Sequence, residues 1–345
     1  MELTFNIVYT PGTVRYLRLL VFSLLKWTDS SFRLVANACS PDELRLLREL
    51  CSKSPRLEFL ALPSRRLMLH SEVLSYLQSL EQSDYFCFMD SDIVATGDFV
   101  SEMFPYLDQY AGVFSATPIW CSEEEQILPE GFPRMPGHFN RTSDGICIGS
   151  TYFAMYDNTA LSQLIQSTGI GFRRYRWEEI PSSYQNQVGQ AGLKKTHYDT
   201  GKLLNVLLVA EGKRLTYVDS PFLQHIGGVS AREAVQRGLR HKGNPRSKAR
   251  GAAARVKRVI RRLVGTDAAR KEQTEVTEAE RAEFFRRRRK RWPTADYFSE
   301  LFQSLFEDQP LPAVPNIGAP DVERRIESVS ANIVALYQEF GKQLT

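Results

Sequence analysis

The 345-residue chain lacks several features that would settle its class at once. No apolar stretch approaches the roughly 20 residues of a membrane-spanning helix; the longest runs, such as Leu203 to Ala210, read as core segments. The opening Met1-Glu-Leu-Thr-Phe-Asn6 has neither a basic n-region nor a signal-peptide pattern and reads as the start of a strand. Cysteine is sparse and odd in number (Cys39, Cys51, Cys87, Cys121 and Cys147), without CxxC spacing, which points to a reducing compartment and no disulfide framework. No GxGxxG follows the first predicted strand, and GxxxxGK(S/T) occurs nowhere. Those absences speak against dinucleotide-dependent dehydrogenases and P-loop NTPases, whose glycines let the backbone close around phosphate.

What is present is a globular composition with an uneven charge. Hydrophobic residues make up 43% of the chain and charged residues 24%, which supplies core for one large domain or two smaller ones. The net charge of +4 conceals a split: residues 231–292 hold 21 Lys and Arg against 7 Asp and Glu, so that segment carries +14 and the rest of the chain −10. A basic segment joined to an acidic body bears on partners rather than on fold.

The chain is organised around Asp84-Tyr-Phe-Cys-Phe-Met-Asp-Ser-Asp92. Tyr85 to Met89 is an apolar, aromatic-rich run suited to a buried strand, and it stops abruptly at Asp90-Ser91-Asp92. Two carboxylates at the mouth of a buried strand lie where open α/β sheets bind ligands, and they repel unless a cation sits between them. Hard oxygens suit Mg²⁺ or Mn²⁺. The simpler reading of Asp-x-Asp is a turn with its cap.

Upstream, Leu3 to Tyr9 predicts a first strand ending at Thr10-Pro11-Gly12, and Val14 to Trp27 a long apolar helix. Phe32 to Ala36 and Leu57 to Ala61 predict further strands. Ser40-Pro41-Asp42-Glu43 predicts a helix start with Ser40 as N-cap, and Val73, Leu74, Leu77 and Leu80 mark one face of another helix. Alternating strands and helices at this spacing argue a parallel, doubly wound sheet. Thr10-Pro11-Gly12 should then approach Asp90-Ser91-Asp92, since such strands deliver their loops to one edge.

Downstream, residues 117–145 show no clear periodicity, and a loop of that length inside a domain is usually functional. Ile146 to Met155 predicts a strand interrupted at Gly149-Ser150, either by a bulge or by the close approach of a ligand. Asp199 or Thr200 is a candidate N-cap for a helix from about Lys202 to Glu211. His225, with apolar neighbours and two glycines after it, reads on its own as a core histidine.

Taken together, Tyr85-Phe-Cys-Phe-Met-Asp-Ser-Asp92 as strand plus DxD, Tyr198-Asp199-Thr200-Gly201 opening a helix, and Leu223-Gln-His-Ile-Gly-Gly228 as a later histidine motif resemble the glycosyltransferase-A fold, the nucleotide-diphospho-sugar transferases. The resemblance covers roughly residues 3–230. It implies an α/β, Rossmann-like fold and a metal-dependent glycosyltransferase, a hexosyltransferase, moving sugar from a nucleotide-diphosphate donor, a UDP-sugar before others, to a hydroxyl. It further implies Asp92 and His225 as ligands of Mn²⁺ or Mg²⁺, with Asp90 a third ligand or a ribose contact. Tyr9, Thr10, Pro11 and Ser91 would line the nucleotide-sugar site, and Arg65 would approach the diphosphate by position alone. Asp199 is the candidate catalytic carboxylate: a general base in an inverting enzyme, or a stabiliser of oxocarbenium-like charge in a retaining one. Gly149, Ser150, Glu178 and Glu179 are assigned to the acceptor side, with Glu178 and Glu179 as rivals for the catalytic role.

The basic segment 231–292 is read as a module between the catalytic portion, 1–230, and a helical C-terminal segment, 293–345, given to packing. Ala253 to Val264 places Val256, Val259, Ile260, Leu263 and Val264 on one helical face and five cations on the other, a pattern suited to an anionic membrane surface. Phe284-Phe285 and Trp292 flank six consecutive cations, Arg286 to Arg291. The expected setting is cytoplasmic and peripheral, on the inner face of the membrane, beside a glycolipid, lipopolysaccharide or lipid-linked glycan acceptor. Three other readings stand: a nucleic-acid acceptor, a solvated helix packed on its own domain, and a basic scaffold with a degenerate transferase domain. A nucleotidyltransferase would also use Asp90 and Asp92, but Thr10-Pro11-Gly12 is a poor version of the Gly-rich basic loop such enzymes carry.

Overall fold

The structure, a computed structural model, describes residues 3–238 and 278–344. The predicted basic helix from Ala253 to Val264 lies outside the described residues. Four strands follow the hydrophobic runs in order: β1 (Thr4–Tyr9), β2 (Ser31–Ala36), β3 (Leu57–Ala61) and β4 (Tyr85–Asp90). β1 pairs in parallel with both β2 and β4, and β2 with β3. Parallel strands need both faces covered, and the alternation along β4 shows how this is met: Phe86 and Phe88 enter one core, Cys87 and Met89 the other.

The chain continues through β5 (Ile93–Ala95), β6 (Gly112–Ser115), the short strands β7 (Ile127–Leu128), β8 (Arg134–Met135) and β9 (Arg141–Thr142), and then β10 (Phe153–Asp157). After these come β11 (Tyr175–Arg176), β12 (His197–Tyr198), β13 (Leu215–Tyr217) and β14 (Leu223–His225). Seven of them form one sheet in the order β13-β6-β10-β4-β1-β2-β3, with β10 antiparallel to both neighbours. β4 is the central strand, so the carboxylates at its end open onto the middle of the sheet edge. This is the α/β, Rossmann-like architecture that the resemblance implied.

The helices differ from expectation in instructive places. Val14 to Trp27 is not one α-helix: α1 (Val14–Leu17) and α2 (Val21–Trp27) are joined by a 3₁₀ turn, where the Arg18 guanidinium reaches the carbonyl of Leu344 at 2.6 Å. α3 (Pro41–Cys51) starts as predicted, with Ser40 and Glu43 exchanging side-chain and backbone bonds. α4 (His70–Leu80) buries Val73, Leu74 and Leu77, while Leu80 at its end is exposed. α5 (Phe99–Met103), α6 (Asn158–Thr168), α7 (Ser182–Gln190), α8 (Lys202–Ala210) and α9 (Val229–Gln236) follow. Neither Asp199 nor Thr200 caps α8; the cap is Gly201, in the left-handed region with φ 70°.

The predicted strand from Ile146 to Met155 is corrected: β10 begins only at Phe153. Ahead of it the Asn140 carbonyl accepts the N–H groups of both Ile148 and Gly149, which takes those donors out of any ladder. The last helices, α10 (Glu278–Phe306) and α11 (Pro320–Phe340), place Phe298, Phe302, Ile326 and Ile333 in the same core as Cys87 and Met89. α10 runs unbroken across residue 292, where the composition changes, with Pro293 inside it. Among the described residues no helix is long and apolar enough to cross a membrane.

Candidate active site

Only Ser91 and Asp92 separate β4 from β5, and β5 forms a two-stranded antiparallel ribbon with β14. The register sets His225 opposite Ile93, the residue after Asp92. Distant sequence is thereby brought beside the DxD. Two further bonds hold the arrangement: Asp92 accepts the Ile226 N–H on its carbonyl at 3.0 Å and the Val229 N–H on Oδ2 at 3.2 Å. His225 Nε2 then lies 3.1 Å from Asp92 Oδ1 and 3.4 Å from Asp90 Oδ2. Its Nδ1 sits 2.8 Å from the carbonyl of Ala116, which can only accept, so Nδ1 carries the proton and Nε2 faces the carboxylates. Ala116 holds that carbonyl in place with φ 61°, a left-handed conformation uncommon for a residue with a Cβ.

The cluster is strongly polarised. Burial alone would push the His225 imidazolium down, but Asp92 and then Asp90 more than offset it, and its pKa rises to about 10. Burial would raise the Asp92 carboxyl, yet the His225 charge and the hydrogen bonds from His225 and Val229 hold it below the usual carboxylate range. The two directions agree: in the absence of any other cation, a proton on His225 offsets one of the two carboxylate charges.

A divalent ion fits in that proton's place. Asp90, Asp92 and His225 each offer one ligand atom, and the three atoms lie within 4.8 Å of one another. Octahedral coordination at 2.0–2.1 Å puts adjacent ligand atoms about 3.0 Å apart, close to the two distances made by His225. The donor set, two carboxylate oxygens and one imidazole, suits Mn²⁺ or Mg²⁺, and the Nδ1–H bond to Ala116 is the usual outer support of a metal-binding histidine. Asp92 is nearly inaccessible, whereas Asp90 is about one-third exposed and leaves the cluster open on one side.

Tyr152, Trp120, Gly227-Gly228 and Arg291 surround the cluster, and of these Tyr152 carried no signal in the sequence. The Tyr152 ring packs on that of His225 with centroids 5.0 Å apart, and the Tyr152 carbonyl accepts the Asp90 N–H at 2.7 Å. Burial, first of all, keeps the Tyr152 phenol protonated far above its ordinary range. Trp120 donates from Nε1 to the Gly227 carbonyl at 2.8 Å. Gly227 and Gly228 have φ of 74° and 108°, and a Cβ on Gly227 would stand 2.6 Å from Pro118. Arg291, from α10, lies against Gly228.

No protein-family model matches the chain, and no curated protein matches it in sequence. Solved structures do align. Residues 1–349 of S. aureus TarS in complex with UDP share 11% identity over 97% of this chain and 91% of that one, with a TM-score of 0.39. The mannosyltransferase PcManGT from Pyrobaculum calidifontis, in complex with GDP-Man and Mn²⁺, shares 11% over 84% and 85%, with a TM-score of 0.41. The galactosyltransferase LgtC, in complex with donor and acceptor sugar analogs, shares 9% over 63% and 73%, with a TM-score of 0.34. Two of the three are sugar transferases by name. At such scores the likeness is one of general outline, and the site's own geometry carries the reading.

The remaining predicted residues divide. Thr10 and Pro11 end β1 next to β4, where Val8 pairs with Asp90, so they do reach the same edge. Thr10 Oγ1, Ser91 Oγ and Ser150 Oγ are shielded from solvent without a hydrogen-bond partner among the described residues. Tyr9 is corrected: its ring is fully buried, with Arg18, Cys39 and Cys51 as charged or ionisable neighbours, and lines no open site. Arg65 is exposed in the loop after edge strand β3 and forms no hydrogen bond or ion pair with Asp90, Asp92 or His225. Gly149 is required by close packing within the protein, since a Cβ there would meet Asn205 and Phe114 at 2.5 Å. Glu178 and Glu179 are exposed in a 3₁₀ turn, where Glu179 caps the Arg176 N–H.

Asp199 is held by three donors: Arg174 Nε at 2.6 Å, the Thr200 N–H at 2.9 Å and the Gly137 N–H at 3.1 Å. The Asp199 carboxylate and the Tyr152 hydroxyl both flank Gly137, which links this carboxylate to the metal-type cluster through Tyr152. Arg174 is 61% exposed, so of the three donors it is the one free to move away.

Proposed function

We propose that the chain is a metal-dependent glycosyltransferase that takes a nucleotide-diphosphate sugar as donor and a hydroxyl as acceptor. The observation that carries this reading is the Asp90-Asp92-His225 cluster at the end of the central strand, on the sheet edge where Thr10 and Pro11 follow β1. Asp90, Asp92 and His225 would hold Mn²⁺ or Mg²⁺, which, when bound, supplies positive charge against a departing diphosphate. Asp92 positions, tied as it is by Ile226 and Val229, and His225 presents Nε2 because Ala116 holds Nδ1–H. Thr10 and Ser91 offer hydroxyls to the nucleotide and ribose. Asp199 receives the acceptor's proton once the acceptor hydroxyl displaces Arg174.

Asp199→Asn tests the last role. It should leave nucleotide affinity near that of wild type and lower kcat by about 10²–10⁴, the usual span for a general base. Unchanged kcat with the Asn variant would remove Asp199 from the chemistry.

The finer reading is an acceptor at an anionic membrane face, a glycolipid, lipopolysaccharide or lipid-linked glycan, with a UDP-sugar as donor. Its support is the cationic sequence from Ala253 to Val264 together with exposed cations near the start of α10. Sedimentation with vesicles containing about one-third anionic lipid should carry the protein down at low salt, and neutral vesicles should not. Equal retention by duplex nucleic acid and none by anionic vesicles would redirect the acceptor to nucleic acid.

A further inference from the structure

The cations of α10 do not share one task. Arg286 and Lys290 turn to Glu125, a carboxylate with no exposed side-chain surface, at 3.7 and 3.6 Å. Arg232 of α9 pairs through Nη2 with Asp296 at 2.9 Å. Arg291 pairs with nothing among the described residues. Its guanidinium stands 4.9 Å from the centre of the Trp292 ring and 5.8 Å from that of Trp120. Its Nε is shielded from solvent yet has no hydrogen-bond acceptor. Stacking between two indoles limits where the planar group can go, and an N–H kept from water without an acceptor calls for a ligand to supply one.

The position of Arg291 says which ligand. A Cβ on Gly228 would come within 2.9 Å of Nε, so the side chain occupies the space that this glycine leaves. Gly228 immediately precedes Val229, whose N–H holds Asp92, and Trp120 is itself bonded to Gly227. Tyr152, stacked on His225, feels the charge of Arg291 and of Asp90. The guanidinium is thus a neighbour of the carboxylate–histidine cluster. That cluster cannot neutralise a diphosphate alone, because Asp90 and Asp92 already balance the charge of one divalent ion. A second cation is needed, and the guanidinium fork matches phosphate oxygens two at a time.

We propose that Arg291 binds the donor's diphosphate, so that the C-terminal helix α10 completes a site otherwise built from β4, β5 and β14. The inference rests on the reading of the cluster as a nucleotide-sugar site and adds a residue to it. It also assigns part of the polybasic run to substrate rather than to a surface.

The test is equilibrium titration of the full chain with UDP and GDP, and with the matching monophosphates, at saturating Mn²⁺, alongside Mn²⁺ binding followed by electron paramagnetic resonance. Arg291→Met should bind Mn²⁺ as wild type does, lose about tenfold or more in affinity for whichever diphosphate wild type binds, and lose less than about twofold for its monophosphate. Arg291→Lys should recover part of the loss. Diphosphate affinity within about twofold of wild type overturns the assignment and leaves the proposed function standing. Equal losses for mono- and diphosphate overturn it as well. Should Arg291→Met also lose Mn²⁺, Arg291→Lys decides: a diphosphate-selective loss upholds the proposal and none refutes it. Wild type binding no nucleoside diphosphate at all would overturn both the site reading and this one.

Discussion

At the scale of single residues, His225 governs how the site responds to pH. Its Nε2 can ligate a metal only without a proton, and the imidazolium pKa stands at about 10. Below that pH each ion bound must release a proton, so apparent affinity should fall about tenfold per unit as pH drops. Mn²⁺ titrations across roughly pH 6–9 should show that slope, and a flat profile would mean that His225 is not a ligand. In the metal-free protein the sign reverses. The folded pKa lies above the ordinary value of 6.5, so the pairing with Asp92 contributes its full stability below pH 6.5 and loses it as pH rises toward 10. Asp92, held below its ordinary 3.8, adds stability above that value that is lost as pH falls.

His225 shows why some of the site was readable in the sequence and some was not. Asp90 and Asp92 announce themselves because two carboxylates end an apolar strand. His225 alone reads as a core residue, and it is indeed buried; only its order after the DxD, set beside a known motif, marked it. Tyr152 and Ala116 gave no sign, since a ring stacked on a distant imidazole and a left-handed φ at an alanine are products of tertiary structure. Tyr9 was misassigned because position beside a strand end does not tell which face its ring takes.

At the scale of elements, the β5–β14 ribbon is the device that converts sequence order into a site. Its turn back to Val229 depends on Gly227 and Gly228. Gly227→Ala sets a Cβ into Pro118 at 2.6 Å and forces φ 74° on a residue that resists it. We expect a loss of about 1–3 kcal/mol of stability in urea denaturation, with weakened Mn²⁺ binding in the folded fraction. A neutral substitution would show that the ribbon does not depend on that turn. The parallel strands β1 to β4 were visible as bounded apolar runs, and α3 through its capping box. The Ile146–Tyr152 segment was not, because its apolar residues look like a strand while the Asn140 carbonyl removes two of its donors.

At the scale of the whole molecule, the charge split of +14 against −10 is partly internal. Lys290 and Arg286 meet buried Glu125 from the irregular 117–145 loop, and Arg291 stands over Trp120 of the same loop, contacts between segments that lie more than a hundred residues apart. A run of six cations between aromatics looks like a surface patch in sequence. Only the packing of α10 against α1, α9 and α11 reveals that some of it faces inward.

The central claim is that Asp90, Asp92 and His225 hold a divalent ion that in turn holds a nucleotide diphosphate. Thermal unfolding of wild type and Asp92→Ala with UDP, GDP, CMP and dTDP-sugars, with and without Mn²⁺, tests it most directly. A ligand present at a hundredfold its Kd stabilises the folded state by about 2.7 kcal/mol. The account predicts a clear rise in Tm for one nucleotide class, seen only with Mn²⁺ and absent in Asp92→Ala. No rise with any nucleotide, or a rise that Asp92→Ala retains, would contradict it.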